Sequence, residues 1–296
     1  MNEKENGKVE AAEQTARSLI DWDKAQYWSN AANPYIGCAV DKWTSPACAN
    51  CYAREISERF KMTEKFKLTR KPNTKMPKTG IVFCGNMTDL FLDEIPDKDL
   101  NEMFFSLMKV DKVGLPCRDE KGRPAYHPAT YLWLSKRAER MANYILSSPT
   151  ALSAPNCWYG MTGENQEWYD RRVQHFRRIR DKRILDIYLQ PQHLWLSAEP
   201  LLGPLDLGDN PPFGWVVVGC ESGANARECK TEWIRSVVEQ CKKWKIPVFV
   251  KQIQGANRSC IRDIEKFPED LRIRQMPFPH DFKTRSRKCA KKSENN

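Results

Sequence analysis

"WVVVGCESGANARECKTEWIRSVVEQCKKWKIPVFVKQ", residues 215–252, decides the fold. It opens on a short apolar run, rich in valine, a branched residue that packs well on a pleated surface. The run ends in polar Glu221 and Ser222. Over residues 230–245, Trp233, Val237 and Cys241 then recur four apart, with Ile234 and Val238 beside them. That is one apolar stripe at helical period. "PVFVKQ" (247–252) is a second apolar run. Strand, helix and strand in this order make a parallel pair joined by a crossover.

The same rhythm extends toward the N-terminus. "GIVFCG" (80–85), "TYLWLS" (130–135), "CWYGMTG" (157–163) and "HLWLSAEP" (193–200) read as strands, with helical patterns over 97–110, 136–146 and 164–179. The strands are near-continuous apolar runs, as expected when both faces are covered. Six are visible, and the lead-in to Cys38 has room for another. The fold class is therefore α/β with mostly parallel strands: a complete or partial (β/α) barrel, with a doubly wound open sheet as the alternative. Residues 1–20 read as a flexible tail, 21–255 as the barrel domain and 256–296 as a basic extension. Residues 117–130 read as a polar loop: a lid, a partner site or a plain insertion. "CANCYAREISERFK" shows helical spacing that puts Tyr52, Ile56 and Phe60 on one face.

Almost every apolar run ends in polar residues. Asn86, Thr88 and Asp89 follow the first, Ser135 and Lys136 the second. Thr162, Glu164 and Asn165 follow the third, and Ser197 and Glu199 the fourth. Glu221 follows the fifth and Lys251 the last. In parallel α/β folds the carboxyl ends of the strands form the active face. Ser, Thr, Asp and Asn also cap helices, but Glu199, Glu221 and Lys251 are poor caps and good ligands or proton carriers. No G-x-G-x-x-G and no P-loop signals a dinucleotide or a triphosphate.

The chain has 296 residues, a formal net charge of +10 and a pI near 9.0. Lysines and arginines crowd residues 283–292, where no acid intervenes. Such a stretch favours polyanions through counterion release. No run approaches the length of a membrane span, and the polar first residues hold no apolar signal segment. A cytoplasmic, reducing setting is expected, where disulfides are rare.

Eleven cysteines are present. Cys84, Cys220 and Cys241 sit in apolar patterns and read as core. Cys117, Cys157, Cys229, Cys260 and Cys289 show no ligand spacing. Cys38, Cys48 and Cys51 are different: nine residues lie between the first two and two between the next two. C-x-x-C is half of a structural zinc site, and the fourth ligand would have to come from a remote histidine among 127, 175, 193 and 280. The other reading is an iron–sulfur cluster held by three thiolates, whose open iron binds S-adenosylmethionine.

"NPYIGC…SPACANCYARE", "GNMTDLF", "GMTGENQEWYDRR", "LSAEPLLGPLDLG", "WVVVGCESGANAR" and "VFVKQ" together resemble a family carried by phages and bacteria. Its members have an N-terminal three-cysteine motif and a barrel like that of radical SAM enzymes. The likeness spans about residues 28–253. The usual radical SAM spacing is C-x3-C-x2-C, and this chain widens the first gap. The resemblance implies a [4Fe–4S] cluster on Cys38, Cys48 and Cys51, with Tyr52 packed beside it. It implies S-adenosylmethionine, with Asn86, Thr88 and Asp89 at its amino group and Thr162, Glu164 and Asn165 near its ribose. Glu199, Glu221 and Lys251 become the polar groups around the reacting centre, and Lys136 and Arg137 would face an anionic ligand. An electron donor such as flavodoxin or ferredoxin is implied, and no substrate.

The leading expectation is thus a radical SAM enzyme that cleaves S-adenosylmethionine reductively and takes a hydrogen from its substrate. The basic charge permits a nucleic acid or nucleotide as that substrate. A zinc-stabilised nucleic-acid-binding protein without catalysis is the second expectation, and a structural or redox-sensing cluster the third. Metal content separates the first two.

Overall fold

A computed structural model describes residues 27–38, 45–71, 75–184 and 193–278. The tail over 1–20, the basic run at 283–292, Cys289 and His280 lie outside them. Eight strands form one sheet in the order β1 (Asn30–Ala32), β4 (Ile81–Cys84), β5 (Thr130–Ser135), β6 (Cys157–Thr162), β7 (His193–Ala198), β8 (Trp215–Gly219), β9 (Val248–Gln254) and β10 (Cys260–Ile261). All pairs are parallel except β9 with β10. A separate antiparallel ribbon joins β2 (Tyr35–Ile36) to β3 (Thr69–Arg70). The helices are α1 (Tyr52–Arg59), α2 (Asp97–Phe105), α3 (Ala138–Ser147), α4 (Pro149–Ser153), α5 (Gln166–Ile184) and α6 (Thr231–Trp244).

Alternation along the strands sorts the side chains to two faces. Val82, Cys84, Tyr131, Trp133, Tyr159, Met161, Leu196, Val216, Val218 and Val250 join the helices in one large core. Their neighbours Ile81, Phe83, Leu132, Trp158, Trp195, Trp215, Val217 and Phe249 form a second core on the other face, around Tyr27. The Tyr27 ring lies 6.4 Å from Phe83 of β4 and 5.5 Å from Phe249 of β9. Phe83 also lies 6.3 Å from Trp195 of β7. In a flat sheet β4 and β9 would stand about 24 Å apart, at roughly 4.8 Å per step. The sheet is therefore strongly curled, and aromatic rings fill its concave face. Gly160 makes room for this: a side chain there would meet the Trp195 indole at 2.3 Å.

The curl does not close. Among the described residues no pairing joins β1 to the far end of the sheet. The architecture is a mixed α/β fold on an open, mostly parallel sheet. The outer edge of β9 is covered by β10 and by residues around Arg274, which pair antiparallel with Phe249. Chain beyond 255 thus continues into the same body, with Phe267 and Leu271 in the first core and Phe278 in the second.

The placement of Lys251 changes. Lys251 does not end a strand but lies within β9, because a register shift opposite Val218 and Gly219 lets β9 run on to Gln254. The buried residues of α1 are Ala53 and Ser57, while Tyr52 is 42% exposed. Residues 108–126 form a small pleated knuckle between α2 and β5, at the amino-terminal edge of the strands. That position is opposite the strand ends that carry the polar residues, so the knuckle is no lid over them. No helix of the described residues is long and apolar enough to cross a membrane.

Candidate functional site

The carboxyl ends of the curled strands form a mouth, and the three-cysteine segment lies across it. Cys38 follows β2, Cys48 ends a short 3-10 turn, and Cys51 sits at the N-cap of α1. All three are half-buried. Cys38 and Cys51 lean on a small core of Ile36, Ala53, Met62, Phe66 and Met87. Gly37 lets the segment approach: its φ is +92°, and a side chain there would meet the Lys67 carbonyl at 2.2 Å. Burial pushes the Cys38 thiol above its ordinary pKa, Arg137 opposes that, and Asp89, Cys48 and Cys51 add to it. Cys38 is thus within electrostatic reach of both other cysteines.

Two clasps hold this segment over the strands. On the β8 side, Glu221 accepts from Arg227 at three donors, at distances of 2.5–3.0 Å. Asn50, between Cys48 and Cys51, donates to the same carboxylate at 3.0 Å and to the Asn225 carbonyl at 2.9 Å. Arg227 donates to the Pro46 carbonyl at 3.0 Å. Burial raises the Glu221 pKa, but the Arg227 and Asn50 hydrogen bonds outweigh it and hold the carboxyl below its usual range. On the β4 side, the Tyr52 hydroxyl donates to the Asn86 carbonyl, and Thr88 donates to the Gly37 carbonyl.

Beneath the segment the strand-end residues divide by role. Asp89 accepts from Phe91 and Lys136 backbone N–H groups, from Ser135 Oγ and from Arg137, at 2.8–3.3 Å. Those four donors fill both its oxygens, so it braces the β4 and β5 ends. Arg137 is committed to that brace, and Lys136 has no ion pair among the described residues. Asn165 accepts from the Trp168 N–H and caps α5.

Glu164 is fully buried, and one oxygen accepts from Arg172 at 2.6 Å. Its other oxygen has no partner, and neither does Thr162 Oγ1 nor Asn86 Oδ1. Buried polar atoms are normally satisfied, so these open acceptors, at the β4 and β6 ends on either side of β5, are candidate ligand contacts. Glu164 also lies within electrostatic reach of Arg227.

At the floor, Lys251 Nζ stands 2.9 Å from Glu199, and Ser197 donates to the same carboxylate at 3.4 Å. Tyr27 reaches Glu199 from the concave core. Burial and that carboxylate push its pKa up. Cys220 and Cys260 lie side by side near this floor. The Cys220 hydrogen bond holds the Cys260 thiol below its ordinary value, against its own burial, with help from Arg262 and Lys251. Neither Arg227 nor Asn50 was singled out by the sequence, and the Cys220–Cys260 pair had no spacing signal. The doublet of Asn50 with C-x-x-C was the only local hint.

Among the described residues, no three His, Cys, Asp or Glu side chains gather as a group that could hold a metal ion. Three half-buried thiols are donors of the kind that a zinc ion or an iron–sulfur cluster takes.

Fold and site define an α/β protein with a cysteine-bearing cover over the carboxyl ends of an open, curled sheet. A family model described as "Protein of unknown function (DUF5131)" matches residues 17–288, and the chain belongs to that family. No curated protein and no solved structure matches it.

Proposed function

We propose that this chain is a radical SAM enzyme on a partial (β/α) barrel, with Cys38, Cys48 and Cys51 holding a [4Fe–4S] cluster at the mouth. The observation that supports this reading most is the double clasp, which ties a three-thiol segment across the carboxyl ends of the strands, where Asn86, Thr162 and Glu164 have unpartnered buried acceptors. When bound, the cluster supplies the electron that cleaves the sulfonium bond of S-adenosylmethionine.

The chain's own residues do the rest. Glu221 and Arg227 fix the Cys48–Cys51 turn, and Tyr52 fixes its far end on Asn86. Asn86, Thr162 and Glu164 offer acceptors for the hydroxyl and ammonium donors of the cofactor. Thr88 and Asp89 hold the β4 end in shape, and Asn165 orients α5. Glu199 and Lys251 form the proton-holding pair on the substrate side, with Tyr27 closing the floor against water. A flavodoxin- or ferredoxin-type donor and a cytoplasmic setting belong to the same proposal.

Cysteine replacement tests the cluster. Cys48→Ala and Cys51→Ala are each expected to lose bound iron while keeping the helical circular-dichroism signal. Full iron in either folded variant contradicts the assignment.

A further inference from the structure

We propose that Arg59, Lys61, Lys65 and Lys67 form a cationic rim that tracks the phosphates of a single-stranded nucleic acid presented to the mouth. The inference rests on reading the mouth as a substrate site. Residues 52–78 carry nine lysines and arginines against three glutamates, Glu55, Glu58 and Glu64. All four rim cations are exposed, and none has an ion pair among the described residues. Arg70 is excluded from the rim, since Asp99 and Glu102 hold it.

The backbone turns these cations outward. Lys61, Lys65 and Phe66 have φ values of 50°, 46° and 55°. Left-handed conformations are unfavourable for such side chains and persist only where the surroundings impose them. Here Met62 and Phe66 are anchored in the small core under the cysteine segment, which directs their charged neighbours to the surface. The rim is also continuous with the site: the Cys38 N–H donates to the Phe66 carbonyl at 3.0 Å, and Cys38 bridges to Lys67.

The surface favours a nucleic acid over an anionic membrane. Membrane-surface elements pair their cations with apolar groups that insert. The exposed aliphatic residues Val110, Val113 and Leu115 lie on the knuckle at the opposite edge of the sheet. Tyr52 opens α1, the helix that ends at Arg59, and its aromatic ring is 42% exposed; unpaired bases stack on such rings beside a cationic track.

The test is fluorescence anisotropy of the full chain with a labelled single strand of roughly 16 nucleotides, the upper end of common site sizes. Titrations run from about 50 to about 200 mM salt. Arg59, Lys61, Lys65 and Lys67 are changed together to Gln. At about −0.7 per phosphate contact, the salt slope should shrink in magnitude by about 3. The same fourfold rise in salt then weakens the native chain roughly 50-fold more than the variant. Lys61→Arg, Lys65→Arg and Lys67→Arg together should keep the native slope, which separates charge from folding.

Iron content, read on each variant, should stay at the native value. Loss of the slope with iron retained supports the rim. Native iron with no single-strand binding, with an unchanged slope, or with binding only to phosphatidylserine vesicles overturns it. Absence of iron in the native chain fails the cluster reading alone; the slope comparison then still supports or overturns the rim by the same criteria.

Discussion

Glu221 shows how one side chain serves a distant segment. It lies at the end of β8, yet its carboxylate meets Asn50 across 171 positions of sequence. Arg227 is one-third exposed, so removing its charged hydrogen bonds should cost only about 2 kcal/mol. The larger effect is positional. Arg227→Ala and Glu221→Gln should reduce iron retention at least severalfold with the fold intact, measured by iron per folded chain.

The pH dependence follows from the lowered Glu221 carboxyl. Its contribution is complete above the unfolded value of roughly 4.3 and is lost as pH falls through the still lower folded value. Urea midpoints of the native chain and Glu221→Gln should therefore differ near neutrality and converge in strong acid. Cys260 gives a second residue-scale prediction: its alkylation by iodoacetamide should titrate below the ordinary thiol value of roughly 8.5, and Cys220→Ser should raise the midpoint. A Cys260 midpoint at or above about 8.5 would contradict the thiol pairing.

At the scale of elements, valine- and tryptophan-rich runs made β4 through β9 legible, because buried parallel strands read as apolar blocks. The polar residues after those blocks, Lys251 excepted, lie at the carboxyl ends of the strands. Lys251 was misplaced because a register shift has no signature in a single strand. β1 and β2 are too short for periodicity to register, and their pairing depends on β4 and β3. Spacing put Tyr52, Ile56 and Phe60 on one helix face; Ile56 and Phe60 pack against the small core under the cysteine segment, while Tyr52 at the helix start stays 42% exposed. Asp89 reads as a ligand although four donors within the fold take its oxygens, and Asn165 gives its side-chain oxygen to the α5 cap. The clasps were invisible, since nothing local links Asn50 to Glu221. Gly37→Ala tests the cover as an element: the Lys67 carbonyl blocks a methyl there. The variant should lose iron while the sheet's thermal midpoint shifts by only a few degrees, read by circular dichroism.

Over the whole molecule, the aromatic interior replaces barrel closure. Tyr27 touches rings from β4, β7, β8 and β9, so it ties the two arms of the open sheet. Trp195→Ala should destabilise the chain by about 3–5 kcal/mol, the usual cost of emptying such a site, measured by denaturant unfolding. An effect below about 1 kcal/mol would mean that the concave core is not holding the curl. The central claim is the chemistry at the mouth, and metal analysis after anaerobic purification tests it most directly. Iron, sulfide and zinc are measured, and 5′-deoxyadenosine is assayed after dithionite reduction with S-adenosylmethionine. About four irons and four sulfides per chain are expected, together with 5′-deoxyadenosine. One zinc, no iron and no cleavage would contradict the radical SAM assignment and make the three cysteines a structural clasp.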